Sequence, residues 1–336
     1  MVELGKTFLQ AAIGIGAFLA IILLIYALTT LLRGRAKERA QIVPFLGFAV
    51  IFLIVGLAIP AIRTIITSFY TNKGGTGLNV DTYIGLKNYR QIFADPKTRM
   101  TLLNNLWWVI LGTGFSVGVG LVVARTADNM KNERLWKTLI FLPTVISMVG
   151  AGIIWRFILT KSSDPKHEFG LLNSLTGVFG AKPRAWLLQQ QNYLPGLPHV
   201  NTSLLIIVFV WIQAGFCTTV LSAAVKGVPD SLGEAGRIDG ATEFQVFRKI
   251  TIPYVMPTII AVTTTTIIAV LKVFDIVQSM TGGNYNTNVL ANEMFDKAIP
   301  QNRPGYGSAL AVILFVVVVP VVILNLRSQR RARELG

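Results

Sequence analysis

Seven stretches of this chain run almost wholly apolar, at about 8–32, 42–70, 102–124, 139–159, 203–225, 258–276 and 308–326. A bilayer core roughly 30 Å thick takes about 20 apolar residues in a helix to cross. Inside lipid there is no water for the backbone to bond, so a crossing segment must satisfy its own amide and carbonyl groups. The expected fold is therefore all-α, a polytopic transmembrane helical bundle of about seven spans. Charged residues make up 14% of the chain, against about a quarter in soluble domains. That deficit excludes an ordinary soluble enzyme.

The first stretch is too long for the apolar core of a signal peptide, and Lys6 is the only basic residue ahead of it, so it is expected to be a retained span. The single cysteine, Cys217, falls inside the fifth stretch, which excludes a disulfide within the chain and a cysteine metal site. His167 and His199 lie far apart in loops. No spacing suggests a metal site or a nucleophile–base pair.

A net charge of +15 invites a nucleic-acid reading, but its placement argues otherwise. Arg33, Arg35, Lys37 and Arg39 follow the first stretch, and Arg327, Arg330, Arg331 and Arg333 follow the seventh. Short basic flanks of this kind mark the cytoplasmic face and favour anionic headgroups. Basic residues divide almost equally between the two sides, so density decides: the segments on the Arg-cluster side are shorter. The N-terminus is then outside and the C-terminus cytoplasmic. The outer segments are long and carry aromatic residues, which argues against disorder and for a partner outside the membrane. Leu171, Leu172, Leu175, Val178 and Phe179 have the spacing of a helix lying at the interface.

The inner segment 229–257 carries the most local information. Ser231 and Glu234 have the spacing of a capping box, which predicts a short helix over about 232–239. Gly240 is placed to end it, since glycine accepts a left-handed conformation. A second helix should resume near Ala241, with Phe244, Phe247 and Ile250 on one stripe. Ala235, Gly236 and Gly240 keep one side small enough for another surface to approach. Spacing alone leaves open whether that surface is a partner or the chain's own bundle.

The order Glu234-Ala235-Gly236, Gly240, Ile250, Ile252-Pro253 resembles the EAA loop of ABC importer permeases, with Gly236 in place of the second alanine and Ile252 in place of a leucine. IDGA (238–241), FLP (141–143), FD (274–275), TGG (281–283), YGSAL (306–310) and GLKNY (85–89) narrow the resemblance to sugar permeases of the maltose type. WIQAGF (211–216), LKVFDIV (271–277) and NVLANEMFD (288–296) look closer still to α-glucoside permeases. The resemblance covers about residues 42–330. It implies an importer permease core there, an added span and basic loop in 1–41, and a cytoplasmic tail at 331–336. It also implies a second permease subunit, two ATPase subunits on the EAA loop, and a solute-binding protein outside. On this resemblance Glu234, Ala235, Gly236, Asp239, Gly240 and Phe244 are the expected ATPase-coupling residues. The chain has no phosphate-cradling G-x-x-x-x-G-K-[ST] motif, so ATP and Mg are expected on the partner ATPase subunits and no cofactor or catalytic residue on this chain.

A sugar path through a bundle needs hydrogen-bonding groups and aromatic faces, and polar residues inside a membrane face a cavity or one another. Trp211, Gln213, Phe216, Thr266, Lys272 and Asp275 are the candidates. Gln213 can donate and accept, or serve as a contact between helices. Thr266 can instead bond its own helix. Lys272 and Asp275, three apart, are expected to pair on one helix face. Two rival classes are a secondary transporter, which should show an inverted repeat or midplane carboxylates, and a membrane-embedded enzyme. Neither has support in these residues. Other solutes, such as polyols, glycerol derivatives or amino acids, stay open within the ABC class.

Overall fold

The computed structural model describes residues 46–47, 49–71, 82–127, 132–163, 170–192 and 197–334, with positions 16 and 130 besides. The expected span at 8–32 and the basic cluster at 33–39 lie outside the described residues. The chain divides into two compact units, Met1–Thr64 and Ile65–Gly336. In the first, the described part is the apolar helix that opens α1 (Ala49–Thr67), which carries a π turn over Ile54–Ala58.

Among the described residues of the second unit no strand forms beyond an isolated Tyr70–Tyr83 bridge. A short helix, α2 (Lys87–Ala94), leads into α3 (Pro96–Thr126). The bent pair α4 (Glu133–Val145) and α5 (Met148–Leu159) comes next, then the short α6 (Leu171–Val178). The 27-residue α7 (Val200–Lys226) precedes α8 (Asp230–Ile238) and α9 (Glu243–Leu271). The chain finishes with α10 (Asp275–Met280), α11 (Leu290–Ala298) and α12 (Pro304–Glu334). The described residues hold five helices long and apolar enough to cross a membrane, or six if α4 and α5 together make one span.

Two of the expected spans differ in form. The stretch at 139–159 is bent by 98° between α4 and α5. Pro143 tightens the end of α4 into a 3₁₀ turn, Ile146 is extended, and the Ser147 side chain caps α5 by accepting from Gly150 N–H. The stretch at 258–276 belongs to a helix that starts earlier, at Glu243, and stops at Leu271.

Helix α7 is the element on which α3, α4 and α9 pack. Lipid tails are as apolar as leucine, so helices in a bilayer associate through close packing rather than hydrophobic expulsion, and small residues permit it. At Gly120 of α3, a Cβ would fall 2.5 Å from the Cβ of Cys217 on α7. At Gly215 of α7, one would collide with Thr144 and with the α4 backbone. Thr144 also donates to the Ile212 carbonyl at 3.0 Å, tying the end of α4 to mid-α7. Trp108 of α3 and Phe209 of α7 meet edge to face at 5.8 Å, both fully buried, and the core grows from them to Val270, Ile276 and Val277.

The end of the bundle where α7 begins is closed by buried amides. Asn104 donates to the carbonyls of Asn286 (2.7 Å) and Asn288 (2.9 Å), Asn105 accepts from Leu290 N–H (2.7 Å), and Asn201 donates to Tyr285 C=O (2.8 Å). The turn they hold has positive φ at Gly282, Gly283, Tyr285 and Asn286. A Cβ at Gly283 would strike the side chains of Asn288 and Asn292 at 2.5 Å. Thr98 donates to Glu293 at 2.9 Å and bonds the Tyr306 hydroxyl at 3.1 Å, joining α3, α11 and α12. Burial, and then Glu293 nearby, pushes the Asp296 carboxyl above the ordinary aspartate range.

Replacing Gly120 with Val should force α3 and α7 apart and destabilise the chain by about 1–3 kcal/mol, as overpacked cores do. A thermal melt in detergent checks this; an unchanged melting temperature would show that the two helices are not held in contact there.

Candidate functional site

The segment between α7 and α9 is a helix–turn–helix of charged and small residues. Helix α8 begins at Asp230 with Pro229 as its N-cap and no side-chain cap. The expected capping box at Ser231 and Glu234 is therefore not formed, because Pro229 already stands extended before the helix and Ser231 falls inside the first turn. The box lies at the next helix start instead. Thr242 accepts from Gln245 N–H, and the Gln245 side chain accepts from Thr242 N–H at 2.8 Å.

Gly240 joins the two helices at φ +82°. Gly240 N–H reaches Arg237 C=O and Ala241 N–H reaches Gly236 C=O, closing the carbonyl end of α8. A side chain at Gly240 would meet nothing within 4 Å among the described residues. Gly236 behaves oppositely. It is buried, and a Cβ there would come 2.8 Å from Ile250 of α9. The small face at Gly236 thus lets the chain's own α9 approach, a correction to its expected place on a partner-facing surface. Glu234, Ala235, Asp239 and Phe244 are all exposed, Phe244 by 68% and its neighbour Ile238 by 86%. The expected stripe of Phe244, Phe247 and Ile250 is split by a π turn over Phe247–Thr251. Ile250 covers Gly236, and Phe247 lies under the Arg125 guanidinium at 6.0 Å.

Glu243 fastens the turn to the bundle. Arg237 of α8 donates to its Oε1 at 2.6 Å, and Arg125 of α3 to its Oε2 at 2.8 Å. The hydrogen bond to Glu243 raises the Arg237 pKa further, so that guanidinium stays charged. Spacing in the sequence did not single out this triad, because Arg125 is over a hundred residues from Glu243. A second carboxylate, Glu133 at the start of α4, takes Lys137 at 2.6 Å and also Lys226 at the end of α7.

The residues expected along a solute path do not converge. On α7, Gln213 and Phe216 are one turn apart and half-buried, whereas Trp211 projects roughly 160° away from Gln213 at 3.6 residues per turn. Trp211 is engaged edge-on with Trp155 of α5 at 5.7 Å. Gln213 makes no side-chain hydrogen bond among the described residues. Thr266 is fully buried, donates to Val262 C=O at 2.9 Å and meets Cys217 Sγ at 3.7 Å. Its hydroxyl is a packing group between α9 and α7. Lys272 and Asp275 do not share a helix: Lys272 caps α9, Asp275 opens α10, and no described ion pair joins them. A three-residue spacing fails to pair them because the helix ends between.

Helices long and apolar enough to cross a membrane, with α3, α4 and α9 packed on α7 and a water-compatible helix–turn–helix following it, are the architecture of a transport permease. The family described as "Binding-protein-dependent transport system inner membrane component" matches residues 116–334, and the chain belongs to it. It is thus the membrane subunit of a binding-protein-dependent ABC importer, embedded in the inner membrane, and not a catalyst. Among curated proteins it is 40% identical to the osmoprotective compounds uptake permease protein GgtC of Synechocystis sp., over 85% of this chain and 98% of that one. It is 38% identical to the alpha-glucoside transport system permease protein AglF of Rhizobium meliloti, over 85% and 82%. Its fold matches a chain of the bacterial alginate ABC transporter, crystallised with an alginate pentasaccharide-bound periplasmic protein, with a TM-score of 0.72 at 21% identity, covering 88% and 96%.

Thr242→Ala removes the capping box and should cost the start of α9 about 1 kcal/mol. Hydrogen exchange at residues 243–246 should quicken while α7 stays protected. Unaltered exchange there would mean that the cap does not hold the turn.

Proposed function

We propose that this chain is one permease of a sugar importer, with α-glucosides or related di- and oligosaccharides as its solutes. Its partners are a second permease, two ATPase subunits that carry ATP and Mg, and a solute-binding protein outside. The observation that carries the coupling role is the exposed turn around Gly240. Glu234, Ala235, Asp239 and Phe244 face away from the bundle, while Glu243 and Gly236 hold the same turn to α3 and α9. A surface built this way receives a partner's movement on one side and passes it to the spans on the other. ATP binds the closed ATPase pair better than the open one, and that difference biases the permease between inward-open and outward-open states. In this reading 226–257 and the C-terminus are cytoplasmic and the N-terminus is outside.

The sugar assignment is supported by the likeness to the α-glucoside permease and by WIQAGF, LKVFDIV and NVLANEMFD. The likeness to the osmoprotectant permease favours a second reading, an osmoprotective solute. Gln213 and Phe216, half-buried on one face of α7, are the residues proposed to meet the solute. Uptake of labelled α-glucosidic disaccharides by the reconstituted transporter, in competition with small polyhydroxy osmoprotectants, separates the two readings. Gln213→Ala should change affinity or selectivity, and unchanged kinetics for every transported solute would remove it from the path.

Gly240→Asn and Gly240→Val test the turn. Asparagine tolerates the left-handed backbone, while Val there is strained by about 1–2 kcal/mol. Both put a side chain where no described residue of this chain lies, so both should cut transport while membrane insertion persists. Normal uptake by the Asn variant would mean that no partner comes close at Gly240. Purified alone, the chain should not hydrolyse ATP, and a sustained intrinsic rate would reject the reading.

A further inference from the structure

Helix α6 (Leu171–Val178) is fixed to the molecule by one side. Leu172 packs against the main core, as do Trp186 and Leu187 further along the chain. Asn173 is buried, and its Nδ2 donates to the carbonyls of Thr160 (3.2 Å) and Arg184 (3.0 Å). Its Oδ1 accepts from Arg184 N–H (3.0 Å) and from Trp186 Nε1–H (2.7 Å). An amide side chain has two donor hydrogens and two lone pairs on oxygen, so all of them are engaged, and the rotation of α6 about its axis is set. The stripe turned the other way is apolar and open. Leu171, Leu175 and Val178 fall at i, i+4 and i+7, Phe179 follows, and all four are exposed, Val178 by 81% and Phe179 by 90%.

The level of this stripe along the bundle follows from α7. After Trp186, the carbonyls of Gln191 and Gln189 accept from Val200 N–H (3.0 Å) and Asn201 N–H (3.2 Å), and Leu187 C=O accepts from the Asn201 side chain at 3.3 Å. Asn173 and Trp186 thus tie α6 to the first turn of α7. The 27 residues of α7 make a helix about 40 Å long, against a hydrocarbon core of roughly 30 Å, so its ends stand among the headgroups. Residues 171–192 carry two basic residues, Lys182 and Arg184, both exposed, and no acidic one. We infer that α6 lies in the bilayer surface at the end where α7 begins, its stripe among the upper acyl chains and Lys182 and Arg184 among the lipid phosphates. Apolar stripes flanked by basic residues bind membrane surfaces in this way. Lipid is the occupant rather than a soluble partner because the stripe offers no hydrogen-bonding group, and a partner that dissociates would leave it bare in water. Seated so, α6 passes the depth of the membrane surface through Asn173 and Trp186 to the start of α7. The inference rests on the chain being a membrane subunit, and not on its solute or on the coupling role of the Gly240 turn.

The test places a bimane fluorophore at Val178→Cys and, separately, at Lys182→Cys, in the assembled transporter in phosphatidylcholine–phosphatidylglycerol nanodiscs. Cys217 is fully buried, and the unsubstituted chain supplies the background label. The label at 178 should lose intensity to phospholipid carrying a doxyl group high on its acyl chain and keep it in aqueous iodide. The label at 182 should respond in the opposite order. Leu175→Cys, one turn back on the stripe, repeats the measurement if Val178→Cys labels poorly. Iodide quenching at 178 as strong as at 182, with no loss to the doxyl lipid, overturns the seat in the membrane. Iodide quenching at 178 that disappears only when the solute-binding protein is added overturns the choice of lipid in favour of that partner.

Discussion

The near-contact of helix backbones along α7 is the constraint from which the rest of the structure follows. Gly120 against Cys217 and Gly215 against Thr144 bring α3 and α4 as close to α7 as side chains allow. In lipid this closeness is itself the source of cohesion, since burying an apolar side chain against another helix gains little over burying it in lipid tails. With the axes fixed so near, Trp108 and Phe209 fill the space between, and Thr144 and Thr266 have only neighbouring groups to bond.

The two ends of the bundle are joined by different kinds of bond. Where α7 begins, buried asparagines hold a left-handed turn by its carbonyls, and a buried Thr98–Glu293–Tyr306 network ties three helices together. Buried hydrogen bonds between helices hold their ends in register. Where α7 ends, the connections are ion pairs in contact with water, Glu243 with two arginines and Glu133 with two lysines. Exposed pairs contribute little to stability, so they direct the turn without locking it. Under the coupling role proposed above, a subunit driven from one end would use that asymmetry.

Much of the architecture was legible in the chain. Every described span falls on an apolar stretch, because length and hydrophobicity are all a bilayer requires. The short helix at Leu171–Val178 and the break at Gly240 were also legible, since amphipathic spacing and a lone glycine after a short helix are local signals. The start of α8 was misplaced, because Ser-x-x-Glu is a weak signal beside a proline that already stops the preceding helix. The candidate path was less legible, since the six residues do not share one face. Polarity in an apolar run shows that a side chain needs a partner, not that the partner is a solute: Thr266 found its own helix, and Lys272 was parted from Asp275 by a helix end. Asn104, Asn105 and Thr98 were passed over, although two adjacent asparagines at the edge of an apolar run are a readable sign of a buried polar contact.

The sequence alone settled the class of fold and the place of the exposed turn, since both rest on interactions within a few residues of one another: helix length, glycine conformation, apolar runs. Which side of that turn faces outward depended on contacts across the chain. Gly236 is covered by Ile250, and Glu243 is reached by Arg125 from a helix more than a hundred residues earlier. The 98° bend between α4 and α5 is likewise a product of helices meeting in three dimensions, because no single segment carries the angle at which it meets another.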